Sequence, residues 1–117
     1  MNEQNRVDES LYQFYRVGGV DEVPPGERIF LEIGDLPIVV FNVGGTFYAI
    51  GDVCTHDGGP LGDGDLEDHQ VICPRHGARF DIRTGEALTL PAVVPTPWYP
   101  TRVVDGRLEI GVAKSGN

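Results

Sequence analysis

The side chains best able to hold a soft metal are few and grouped. The 117-residue chain has two cysteines and three histidines, and four of these five residues fall into the pairs Cys54-Thr55-His56 and Cys73-Pro74-Arg75-His76. Each pair offers one thiolate and one imidazole from a segment rich in glycine and proline. Sixteen residues separate the pairs, enough for an excursion and a return strand. Together they form an S2N2 donor set, suited to metals that accept both sulfur and ring nitrogen. A disulfide, or two buried free thiols, would account for the cysteines but not for the histidines paired with them. A lone disulfide is also out of place in a reducing compartment.

Two metal chemistries compete for that set. Tetrahedral zinc accepts S2N2, but the common zinc finger pairs Cys with Cys and His with His on a helix. Here each segment mixes the two types, and neither has helical periodicity. Two such loops can instead place both sulfurs on one iron of a binuclear cluster and both nitrogens on the other. The remaining polar residues read as ordinary surface. His69, beside Asp68, lacks the spacing of the other two and reads as a solvent-exposed histidine outside the site. Asp63, Asp65, Glu67 and Asp68 lack the glycine and terminal glutamate of a calcium loop and read as a solvated acidic face, suited also to steering a basic partner. Arg75 and Arg79 flank His76 and fit either partner contact or plain solvation. Trp98 and Tyr99 read as packing against their own loop. No serine, cysteine or aspartate stands in a readable nucleophilic triad, so no catalytic residue is assigned.

The elements that must position these pairs are strands. Sixteen glycines and nine prolines interrupt long helices, which predicts an all-β chain. Alternation predicts a strand at 12–17, and Val23-Pro24-Pro25-Gly26 then breaks the chain. Strands follow at 28–33, 38–43 and 46–50, the last two joined through Gly44-Gly45 as a tight hairpin. Residues 51–68 read as loop, with a short strand around Val71-Ile72. A strand at 78–82 turns through Arg83-Thr84-Gly85-Glu86 into a return arm at 87–90. Four prolines make 91–100 an ordered covering loop, excluded from a central strand because proline has no backbone donor. Residues 101–104 and 107–112 close the chain as a hairpin through Asp105-Gly106. This places a flexible tail at 1–11, one domain at 12–113 and a short tail at 114–117. Its metal-binding loops lie at about 52–62 and 73–81, beneath the covering loop at 91–100.

A formal net charge of −9 argues against nucleic acid and anionic membrane as partners and favours a partner with a basic face. No apolar stretch is long enough to cross a bilayer, and residues 1–10 lack the apolar core of a secretory signal. A cytoplasmic location is therefore expected.

The sequence resembles the Rieske ferredoxin family, whose C-x-H…C-x-x-H pattern is matched by Cys54, His56, Cys73 and His76. The resemblance runs from about Phe14 to Val112. It includes Thr55, Gly58 and Leu61 around the first pair, Pro74 and Gly77 in the second, and Phe80-Asp81 with Thr84-Gly85 beyond. It implies one Rieske-type [2Fe-2S] cluster held by those four ligands. It also implies an antiparallel β-sandwich with an inserted cluster-binding subdomain of two loops, the proline-rich segment covering the cluster. Imidazoles in place of two thiolates leave such a centre less anionic and raise its potential above that of plant-type ferredoxins.

Within the family, the high-potential branch carries an extra cysteine in each loop, joined as a disulfide, where this chain has Gly59 and Arg75. It also carries a serine and a tyrosine that donate to the cluster sulfurs, where this chain has Ala78 and Phe80. Without those donors the potential should fall to the low end of the Rieske range, about −150 mV. The resemblance thus implies a one-electron carrier rather than an enzyme, passing electrons from a flavin-dependent reductase to an oxygenase or similar terminal enzyme. A small non-catalytic subunit of a larger reductase, such as assimilatory nitrite reductase, is the second reading. A zinc-stabilised interaction module is the third.

Overall fold

The computed structural model describes residues 8–114, and among these the fold is three antiparallel sheets with only short 3-10 turns besides. The strands are β1 (Tyr12–Gly19), β2 (Arg28–Ile33), β3 (Leu36–Val43), β4 (Thr46–Gly51), β5 (Leu66–Glu67), β6 (Gln70–Ile72), β7 (Arg79–Asp81), β8 (Trp98–Tyr99), β9 (Thr101–Val104) and β10 (Arg107–Ala113). One sheet has the order β1-β10-β9, a second β2-β3-β4-β8 and a third β5-β6-β7. The third sheet is an insertion, because β8 returns to the edge of β4 after the chain has made β5 to β7.

Strands β3 and β4 have no solvent-facing side, which explains why they read as apolar runs rather than as alternating patterns. Their side chains still alternate between faces. Ile38, Val40, Phe47 and Ala49 pack with Leu108, Ile110, Tyr99 and Val23 in one core; Val39, Phe41, Tyr48 and Ile50 pack with Cys54, Leu61, Val71, Cys73, Ala78 and Phe80 in the other. A one-residue slip would exchange the two sets. At about 1.5–3 kcal/mol per buried large apolar side chain, that alternation holds the register and with it the attachment of the inserted sheet.

Turns appear where the sequence places them. Gly44 and Gly45 both have positive φ and join β3 to β4, and Asp105-Gly106 does the same for β9 and β10. A third tight turn, Gly34-Asp35 between β2 and β3, was not expected. Four other expectations need correction. Glu9–Leu11 is a 3-10 turn capped by Asp8 and tied to Lys114, rather than part of a loose tail; residues 1–7 and 115–117 lie outside the described residues. The 51–68 loop contains β5, whose Leu66 and Glu67 pair with Val71 and Gln70. The return arm at 87–90 reaches β7 through a single bridge, Ala87 to Phe80, because the Thr89 hydroxyl takes up the Arg79 amide. The proline-rich stretch ends in a strand, since Trp98-Tyr99 fits between Pro97 and Pro100 and pairs with Ile50 and Ala49. Pro100 then marks the crossing from the second sheet to the first, where its carbonyl accepts from Gly111 at 2.8 Å.

Candidate metal centre

Two turns of the same build carry the cysteine and histidine pairs. The first follows β4, and the second joins β6 to β7. In each, the cysteine amide donates to the carbonyl five residues on, Cys54 to Gly59 and Cys73 to Ala78, both at 2.7 Å. The cysteine carbonyl accepts in turn from the glycine four residues on, Gly58 at 2.7 Å and Gly77 at 2.9 Å. Gly58 and Gly77 have φ of +77° and +75°, a left-handed conformation that costs glycine nothing and closes each loop on itself. The turns differ in where the histidine stands, two residues after Cys54 and three after Cys73.

This geometry turns the following amides toward the sulfurs. The backbone N–H groups of His56 and Asp57 favour the Cys54 thiolate and those of Arg75 and His76 favour the Cys73 thiolate, and the two thiols are near enough to act on each other. Burial disfavours both thiolates. At Cys54 burial wins, with the neighbouring Cys73 thiol adding to it, and the thiol is pushed up. At Cys73 the amides of Arg75 and His76, together with Cys54, outweigh burial and hold the thiol below its ordinary value.

The donor set passes the test of fit to a binuclear centre. Cys54 and Cys73 are fully buried in the apolar core with Leu61, Ala78 and Phe80. His56 and His76 are exposed, with ring centroids 4.8 Å apart and planes at 85°. Among the described residues, no three His, Cys, Asp or Glu side chains converge on one metal position. A sulfur pair inside and an imidazole pair at the surface suit two linked irons better than one tetrahedral zinc.

The loops are anchored at their base and to each other. Asp52 accepts from the amides of Leu61 and Gly62 at 2.9 and 2.6 Å, closing the first loop. Arg28, stacked over Phe41, donates to the carbonyls of Gly62 and Gly64, both at 2.6 Å. At the tip, Arg75 reaches across to the first loop. Its Nε and Nη2 donate to the Asp57 carboxylate at 2.6 and 2.9 Å, and its Nη1 donates to the Pro60 carbonyl at 2.8 Å. That guanidinium holds the Asp57 carboxyl well below the usual range. Arg75 also lies over Gly59, where an added Cβ would stand 2.8 Å from the guanidinium. The two positions without cysteines, Gly59 and Arg75, are therefore in contact, and Arg75 is ion-paired with Asp57 in the same loop as Gly59.

The proline-rich segment covers one side. The Thr55 hydroxyl donates to the Val94 carbonyl, Ala92 is buried in the core with the cysteines, and the Thr96 hydroxyl donates to the carbonyls of Gly51 and Val53 at 3.2 and 3.0 Å. Ala78 and Phe80 are completely buried beside Cys73 and bring no hydroxyl. His69 lies apart from the other two histidines, as expected, but is half-buried with its ring edge-on to Tyr48 at 5.4 Å. Asp63, Asp65, Glu67 and Asp68 are exposed, and Arg79 pairs with Glu67 at 3.0 Å. Sequence reading missed Asp57. An acidic residue beside His56 and a basic one beside His76 were the available signal.

Residues 13–100 match the model of the Rieske [2Fe-2S] domain family. The chain is 36% identical over 106 residues to the anthranilate 1,2-dioxygenase ferredoxin subunit of Burkholderia cepacia, covering 91% of this chain and 98% of that one. It is 41% identical over 97 residues to the 3-phenylpropionate/cinnamic acid dioxygenase ferredoxin subunit of Escherichia coli K12, covering 82% and 91%. Among solved structures it superposes on a chain from the complex of reduced oxygenase and oxidized ferredoxin in carbazole 1,9a-dioxygenase, with a TM-score of 0.79, 30% identity, and coverage of 89% and 97%. With neighbouring buried thiols, paired imidazoles at the surface and a family match across most of its length, the chain belongs to the Rieske [2Fe-2S] domain family.

Proposed function

We propose that this chain is a soluble carrier of single electrons, taking them from a flavin-dependent reductase and delivering them to an oxygenase, with Cys54, His56, Cys73 and His76 as the ligands of its cluster. The observation that carries the reading is the division of the site into a buried sulfur pair and an exposed imidazole pair. When bound, the cluster supplies a one-electron change with no bond to a substrate made or broken. The residues supply the rest. Leu61, Ala78, Phe80 and Ala92 exclude water from the sulfur end, and the amides of His56, Asp57, Arg75 and His76 stabilise charge on the sulfurs. His56 and His76 bring the site to the surface, where a partner can approach it.

The surface around that tip fits a docking role. Leu90 and Val93 are 77% and 74% exposed on the loop whose Val94 carbonyl holds Thr55. Exposed large apolar groups on the segment tied to Thr55 form a surface for a partner to cover. The similarity to ferredoxin subunits of dioxygenase systems supports an oxygenase as the acceptor. The redox unit is read as residues 12–113, since β1 and β10 close against each other at its two ends. A cytoplasmic location agrees with cysteine ligands that must not be oxidised to a disulfide; no helix among the described residues is long and apolar enough to cross a membrane.

The deciding experiment is EPR of the dithionite-reduced protein, with Cys54→Ser and His76→Ala beside the unsubstituted chain. A Rieske-type signal present in the parent and absent from both variants is expected. Colourless protein with stoichiometric zinc would overturn the cluster reading, and an unchanged signal in either variant would remove that residue as a ligand.

A further inference from the structure

The contacts between Asp57, Arg75 and His76 are not needed to supply ligands, yet they connect the two turns at the point where the imidazoles emerge. Asp57 lies in the first turn and accepts the Gly59 amide at 2.9 Å, which fixes its carboxylate. Arg75 lies in the second turn and reaches that carboxylate in a two-pronged contact, adding a third bond to the Pro60 carbonyl. Asp57 Oδ2 also lies 3.4 Å from Nε2 of His76. A single carboxylate therefore faces the guanidinium of Arg75 and Nε2 of His76, both from the opposite loop. Two parallel bonds between guanidinium and carboxylate fix direction as well as distance, which a lysine ammonium cannot do.

From this arrangement we infer that Asp57 and Arg75 form an ion-pair latch that sets the spacing of the two ligand turns and positions the His76 ring through the Asp57 contact with Nε2. Both are positioning residues. The inference rests on the reading of His76 as a ligand. Its effect is local: the pair is partly exposed, so it adds little to global stability, but it spans the gap that must widen for the cluster to leave.

Gly59 gives a way to open the latch without changing any charge. A Cβ there would stand 2.8 Å from Arg75 Cζ and Nη2, so the guanidinium, at the end of a flexible side chain, would have to shift, and its two-pronged contact with the carboxylate would be disturbed. Arg75→Ala, Asp57→Asn and Gly59→Ala should therefore behave alike, although one removes a positive charge, one a negative charge and one neither.

The test measures loss of visible absorbance from the anaerobic holoprotein in the presence of an iron chelator, together with the g-values of the reduced form. Each of the three variants is expected to lose its cluster about three- to tenfold faster than the parent, with little change in far-UV circular dichroism. The Arg75→Ala/Asp57→Asn double variant should be no faster than the singles, because the second change removes a partner already lost. Arg75→Lys should recover part of the effect, and the g-values should move in the singles as the His76 ring turns. Additive losses in the double variant, or parental rates and g-values in all three singles, would overturn the latch. If the variants fail to hold a cluster, the parent decides: loss should accelerate in 0.5 M potassium chloride, where the Debye length falls to about 4 Å and an exposed ion pair is weakened, and an unchanged rate overturns the proposal. Failure of the ligand reading would look different, since the parent itself would then lack the Rieske signal.

Discussion

Gly85 lies directly against the backbone of Thr96. The Thr96 amide donates to the Gly85 carbonyl at 2.8 Å, and a Cβ on Gly85 would stand only 2.2 Å from the Thr96 carbonyl oxygen. This contact fastens the turn after β7 to the covering segment, and Thr96 continues the connection to Gly51 and Val53 below the first ligand turn. Glycine is required there twice over, for the close approach and for its φ of +80°. Gly85→Ala should cost about 2–4 kcal/mol, combining left-handed strain with displacement of backbone. Thr96→Val, which keeps the backbone contact and loses two hydroxyl bonds, should cost about 1–3 kcal/mol. Urea titration of the two variants checks the order, and an alanine as stable as the parent would mean that the covering segment is not held at this point.

Ala78 and Phe80 offer a second test, on potential rather than stability. Both are buried in the core that contains the cysteines, so a hydroxyl introduced at either position has no water to satisfy it and shares that core with the two sulfurs. Ala78→Ser and Phe80→Tyr should each raise the midpoint, since a donor to sulfur favours the electron-rich reduced state. The unsubstituted protein should lie near the low end of the Rieske range, about −150 mV. Voltammetry reads all three, and a parental midpoint above zero would remove the explanation by missing donors.

Much of the candidate metal centre was legible because its residues are of scarce types. With two cysteines in the chain, a thiol with an imidazole two or three places away is visible without any structure. The Gly44-Gly45 hairpin was legible for a similar reason, since few residues tolerate two successive left-handed positions. What was hidden lies in pairings between distant segments. Nothing local marks Trp98-Tyr99 as a strand, because two residues between prolines become one only when the β4 edge is waiting for them. Asp57 and Arg75 are each ordinary surface residues until the two turns are brought side by side. The shared construction of those turns was within reach, since Gly58 and Gly77 both stand four residues after a cysteine, but the offset histidines disguise it.

Acid stability should depend on Asp81. Burial works against its carboxylate, but the side chain and amide of Arg83 donate to it at 3.0, 3.0 and 2.8 Å and outweigh that cost, holding the carboxyl below its usual value. A carboxyl depressed by folding stabilises the native state above its unfolded pKa of about 3.9, and that contribution is lost as pH falls through the lower folded value. Asp81→Asn should therefore be less stable than the parent at pH 7, and the difference should shrink below about pH 4. Paired denaturation curves at pH 7, 4 and 3 measure it, and a gap that persists unchanged at pH 3 would mean that shape rather than charge matters at this position.

The exposed apolar residues of the covering segment lead to a prediction about partners. Leu90 and Val93 project from a segment held by Thr55 and Thr96 rather than by their own side chains, so replacing them should leave the cluster site intact. A charge placed there must be desolvated when a partner covers the segment, which weakens docking without altering the carrier itself. Val93→Asp should retain the parental midpoint and EPR signal while lowering the second-order rate of electron delivery to an isolated oxygenase component by about tenfold or more, roughly the effect of losing one well-buried interface contact. Glu67→Gln, on the exposed acidic face, should instead change the salt dependence of that rate with little effect at high ionic strength. Stopped-flow oxidation of the reduced protein distinguishes the two. A parental rate for Val93→Asp would move the docking face away from the covering segment and leave the acidic face as the surface to probe.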